Sequence, residues 1–103
     1  MPDTIVTALQ ATGLAFAHHA WSKAPKGDYG VYTEWGDNAL YAGDRHAERA
    51  TQGSVHYFTR DSSGAPKDTI EAALDAARCA WYLDSIQFEE DTGYIHYEWA
   101  WEL

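Results

Sequence analysis

Near the end of the chain, Ile95, Tyr97, Trp99, Trp101 and Leu103 alternate with His96, Glu98, Ala100 and Glu102. A period of two sends successive side chains to opposite faces of a strand. One face of this strand is heavily aromatic and the other carries charge. Side chains of that size bury large areas, so the aromatic face is expected to lie in the core under a covering layer. The best candidate for that layer lies just upstream. Ile70, Ala73, Leu74, Ala77 and Trp81 fall on one side of a helical pattern, while Lys67, Glu71, Asp75 and Arg78 point elsewhere. Small residues on the apolar side suit close packing on a sheet.

The remaining elements follow from the same two periods. Residues 2–12 read as a short helix with Ile5, Val6 and Leu9 on one face and Gly13 as its C-terminal cap. Residues 14–19 read as a strand, with Leu14 and Phe16 on one side. In residues 29–35, Tyr29, Val31, Thr33 and Trp35 alternate with Gly30, Tyr32 and Glu34. Gly36, Asp37, Asn38 and Gly43 then break the pattern. Residues 36–52 are polar, and form either a long loop or a hairpin projecting beyond the core. The next strand is clearest over 54–60 and starts as early as residue 47 if Gly53 marks a bulge. A turn over 61–66 leads into the second helix, with Pro66 in its first turn. Residues 81–89 and 94–103 form a hairpin around 90–93. The expected fold is α+β in the order α-β-β-β-α-β-β, a mostly antiparallel sheet with both helices on one face.

The chain has 103 residues, enough for one domain, which is taken to span residues 1–103. Sixteen Asp and Glu against seven Lys and Arg give a net charge of −9. Such a surface repels phosphate, so no nucleic-acid binding is expected. No segment approaches the roughly 20 apolar residues of a membrane span, and no basic leader precedes an apolar run. A soluble protein made in a reducing compartment is expected. Cys79 is the only cysteine, which excludes an intrachain disulfide and a cysteine-based zinc site.

The reactive residues form no motif that specifies a chemistry. His18, His19, His46, His56 and His96 show neither HExxH nor His-x-His spacing, and adjacent His18 and His19 should face opposite sides of a strand. Cys79 reads as a small packed residue. Glu89, Glu90 and Asp91 gather at a turn, as acids do in an acidic protein. Glu98 and Glu102 read as a solvated face, or more sharply as an inter-subunit surface or an acidic channel wall. No Walker motif, local catalytic triad or glycine-rich phosphate loop is present. No catalytic residue, metal ligand or cofactor is expected.

The order of segments nevertheless resembles a known family. Residues 13–19 (Gly-Leu-Ala-Phe-Ala-His-His) precede a loop and then Tyr29-Gly30-Val31-Tyr32. Gly36-Asp37-Asn38, Asp44-Arg45 and Val55-His56-Tyr57-Phe58-Thr59 follow, and the chain closes on Tyr97-Glu98-Trp99-Ala100-Trp101-Glu102-Leu103. Over nearly its whole length this resembles the small tail-completion proteins, or tail terminators, of long-tailed bacteriophages and prophages. The resemblance implies a non-enzymatic virion protein, assembled in the host bacterial cytoplasm. It would form a ring, expected to be hexameric, on the tail tube protein, end tail growth and present a joint to the head-completion or connector protein. Asp37, Asn38, Asp44, Arg45 and Arg49, in the polar segment, are the expected contacts to neighbouring subunits or the tube. Arg–carboxylate pairs are suited to that role by their geometry. Two alternatives remain. One is another connector or minor tail protein. The other is a small dimeric α+β barrel that binds a hydrophobic ligand or a metal, with oxygenase activity as one form, a reading suggested by the many Trp and Tyr and the several His residues.

Overall fold

The computed structural model describes residues 3–23, 25–37 and 51–103, with the side chains of Asp3, Trp35, Asp37 and Thr51 left aside. Its elements run α1 (Asp3–Ala11), β1 (Phe16–His18), β2 (Tyr29–Asp37), β3 (Thr51–Thr59), α2 (Ala65–Ala76), β4 (Ala80–Phe88) and β5 (Ile95–Glu102). The five strands form one sheet in the order β1-β2-β3-β5-β4. Only β1 and β2 run parallel; the other neighbours are antiparallel. Both helices contribute to a single core, so the α+β class and the element order agree with the sequence reading. No described helix is long and apolar enough to cross a membrane.

The core lies between the helices and one sheet face. Ile5 and Leu9 of α1 and Ile70 and Leu74 of α2 are buried against Tyr32, Val55, Tyr57, Tyr97, Trp99 and Trp101. The aromatic face of β5 is therefore core, as the alternation requires. In β2, by contrast, the apolar Tyr29 and Val31 point away from the helices and Tyr32 points into the core. Gly30 beside it lets the Phe16 ring lie against the strand: a Cβ there would sit 2.3 Å from Phe16 Cε1. Gly53 serves a similar close approach, because a Cβ would meet the Thr33 carbonyl oxygen at 2.0 Å and Trp101 Cζ2 at 2.4 Å. The bulge lies opposite Gly53, on β2 between Glu34 and Gly36.

Two local expectations are corrected. The second helix ends at Ala76, so Trp81 belongs to β4 and not to the helix face. Arg78 adopts φ 59, which reverses the chain, after Ala77 and Arg78 have bonded back to Ala73 and Asp75. Trp81 still meets the helix, from the strand, by donating its indole N–H to Asp75 Oδ1 at 2.8 Å. The first strand is also shorter than 14–19. The Leu14 N–H is taken by Thr12 Oγ1 in the turn that follows α1, where Gly13 (φ 77) caps as expected, and His19 leaves the strand with φ 67.

Asp28 ties the loop before β2 to the end of β3, accepting bonds from the Thr59 hydroxyl and the Arg60 backbone N–H. Tyr94 pins the same loop by donating its hydroxyl to the Gly27 carbonyl at 2.8 Å, with the Arg60 guanidinium over its ring at 4.1 Å. Burial, and then the negative charge of Asp28, push the Tyr57 phenol up to about 12. An unfolded tyrosine ionises near 10. The folded state thus holds a proton that the unfolded chain releases, so this contribution to stability is intact below pH 10 and is lost as the pH rises to 12. Urea midpoints measured from pH 9 to 12 should fall steeply across that window, and Tyr57→Phe should flatten the fall. An unchanged slope in the variant would show that Tyr57 is not the group responsible.

Candidate functional site

The sheet face away from the helices carries a ladder of polar and aromatic side chains. Across β2, β3 and β5, Tyr29, Phe58 and His96 form one row, and Val31, His56 and Glu98 form the next. Because side chains on one face recur every second residue, these rows bring together groups 40 residues apart in the chain. His56 Nδ1 and His96 Nε2 lie 2.8 Å apart, and Glu98 Oε1 is 4.0 Å from the same His56 nitrogen. Each imidazole is held from behind. His56 Nε2 meets Ser54 Oγ at 3.3 Å, and that hydroxyl also bonds Thr33 Oγ1. His96 Nδ1 faces Glu89 Oε2 at 3.8 Å, and Phe58 stacks on the His96 ring at 4.2 Å. Burial, then the charge of His56, lowers the His96 pKa, with Glu89 and Glu98 opposing.

A second cluster lies where β1 meets β2. His18 Nε2 lies 2.8 Å from Glu34 Oε2, and His19 Nε2 lies 3.3 Å from Glu34 Oε1. The two rings stack at 3.8 Å, so adjacent His18 and His19 share one side instead of facing opposite ways. The reason is the left-handed backbone of His19, which breaks strand alternation immediately after His18. Burial raises the Glu34 carboxyl, but the hydrogen bond and charge of His18, together with His19, outweigh it, and the net shift is downward. This cluster is more exposed than the first, with 58% of the His19 side chain open to solvent.

Two further features bear on binding. Strand β4 is an edge of the sheet, and its Tyr82, Ile86 and Phe88 are 59%, 54% and 65% exposed. Ile86 and Phe88 pair with Tyr97 and Ile95, so they extend the core-side face past the cover of the helices. At the other end of β4, a cavity of about 240 Å³ is lined by Gln52, Trp81, Tyr82, Trp101 and Glu102, among others. On the helix side of the sheet, the Trp101 indole N–H is buried with no acceptor among the described residues.

Of the residues expected to make assembly contacts, Asp37 closes β2 opposite Thr51. Asn38, Asp44, Arg45 and Arg49 lie outside the described residues. Cys79 is half-buried and donates to the Leu74 carbonyl, and burial raises its pKa, in keeping with a packed thiol. Glu89 belongs with His96, whereas Glu90 and Asp91 remain exposed. Motif spacing did not single out the triad of His56, His96 and Glu98. The available signal was weaker: all three occupy polar positions on strands whose alternate positions are core. Neither a comparison with protein-family models nor one with curated proteins finds a match to this chain.

Proposed function

We propose that this chain is a structural protein of a long-tailed phage or prophage that assembles into a ring, hexameric by the family resemblance, caps the tail tube, and joins it to the head connector. The observation that carries the reading is the apolar edge strand β4. An edge strand of nine residues on which Tyr82, Ile86 and Phe88 are each more than half exposed is a template for association. Its counterpart, the short edge β1, lies at the opposite side of the sheet. Pairing unlike edges of successive copies is a head-to-tail contact, and such contacts close into rings when the rotation per copy permits. The net charge of −9 suits a ring through which DNA passes without being held.

The test is deletion of the gene from its phage or prophage, followed by induction and negative-stain electron microscopy of the lysate. DNA-filled heads beside unjoined or overlong tails are the expected result. Infectious particles of normal form would overturn the proposal. A second reading, a binding module for a small apolar ligand, is favoured by the cavity at the start of β4. Particles of normal form would turn attention there, and a compound retained through purification would identify it.

A further inference from the structure

We propose that His56, His96 and Glu98 form a binding site for a divalent transition-metal ion, zinc foremost, on the sheet face opposite the helices. Two imidazoles and a carboxylate are the donor set that zinc and its first-row neighbours take up. The three ligand atoms lie within 4.8 Å of one another. Two nitrogens bound to one zinc ion, each about 2.0–2.1 Å from it, sit roughly 3.3 Å apart in a tetrahedron. The present separation of 2.8 Å between His56 Nδ1 and His96 Nε2 reaches that value with a small ring rotation. Glu98, directly across from His56 in the β3–β5 register, supplies the third corner.

What separates this cluster from a chance meeting of polar side chains is its support. Each histidine turns one nitrogen to the centre and the other to an oxygen: His56 to Ser54 Oγ, His96 towards Glu89. Outer partners of this kind fix ring orientation and tautomer in metal sites. Phe58 packs flat on His96, and all three ligands stand on two adjacent paired strands, so the backbone of the site is rigid. The side chains retain 27%, 16% and 27% exposure in the order His56, His96, Glu98. An ion can therefore enter from solvent, and its remaining positions are left to water or to a group from a partner. The proposal is independent of the tail reading.

The experiment is titration of the purified, metal-stripped protein with zinc against a chromophoric chelator, and with cobalt followed by its visible absorption. One ion per chain is expected, with cobalt bands of imidazole–carboxylate ligation. His56→Gln, His96→Gln and Glu98→Gln should each weaken zinc binding by about tenfold or more. His18→Gln with His19→Gln should leave that site unchanged. Near-UV circular dichroism checks that each variant is folded. Should the Gln variants misfold, the wild-type amide spectrum decides, because paramagnetic cobalt should broaden signals around residues 54–56 and 96–98 first. Absence of stoichiometric binding, or broadening centred on His18 and His19, would overturn the assignment.

Discussion

Trp99→Ala should leave this protein without a cooperative folding transition near room temperature, or with one lowered by roughly 12 °C or more. Trp99 is completely buried at the middle of β5, in contact with both the sheet and the helix layer. Truncating a buried Trp costs about 3–5 kcal/mol, against about 5–15 kcal/mol of total stability for a domain of this size. At about 4–8 °C per kcal/mol the lower end of that loss already gives such a drop. A polar loss is added. The Trp99 indole N–H donates to Glu71 Oε2 at 3.0 Å, and Glu71 Oε1 holds Lys67 at 3.1 Å. Removal of the ring leaves that half-buried carboxylate with one partner fewer. Trp99→Phe separates the two effects, because it keeps most of the volume and loses the donor, and should cost markedly less. Thermal melts followed by far-UV circular dichroism measure both. A Trp99→Ala melt close to wild type would show that the helix layer does not depend on this residue.

The double variant Ile86→Asp, Phe88→Asp should fold normally and fail to assemble. Both side chains are more than half exposed in the single chain, so their replacement touches little of the core. Surface changes of this kind usually fall within about 0.5 kcal/mol each. In a ring the same side chains would be buried between copies. Burial of a large apolar side chain contributes about 1.5–3 kcal/mol, and an Asp in its place adds an unpaired charge at every interface. Complementation of a gene deletion reads this directly. Wild-type protein supplied in trans should restore infectious titre, and the double variant should lower it by orders of magnitude at equal soluble expression. Where the deletion lowers the titre, full restoration by the variant would remove β4 from the assembly interface.

Much of the architecture is legible residue by residue, for a local reason. Alternation at Tyr97, Trp99 and Trp101 identifies the buried face of β5 because a strand has no other way to place those side chains. Gly13 marks the end of α1 because it is free to take positive φ. The same logic fails where two patterns overlap. Trp81 continues the helical spacing of Ile70, Leu74 and Ala77, and only the reversal at Arg78 moves it into the sheet. It fails again in β2, where the apolar alternation of Tyr29 and Val31 lines the open face. Phe16 and Tyr57 pack with Tyr32 on the other side.

The candidate metal site illustrates the deeper division. Local periodicity determined the number and order of elements and the face of β5 on which His96 and Glu98 stand. It carried no information about which strands become neighbours. The sheet places β5 between β3 and β4, so the final strand pairs with one 40 residues earlier as well as with its own hairpin partner. Only that pairing, in that register, sets His56 opposite Glu98 and one row from His96. Side-chain periodicity is a property of each strand's own backbone. Strand order and register are chosen by the packing of Trp99, Trp101, Val55 and Tyr57 under two helices, which depends on the whole chain at once.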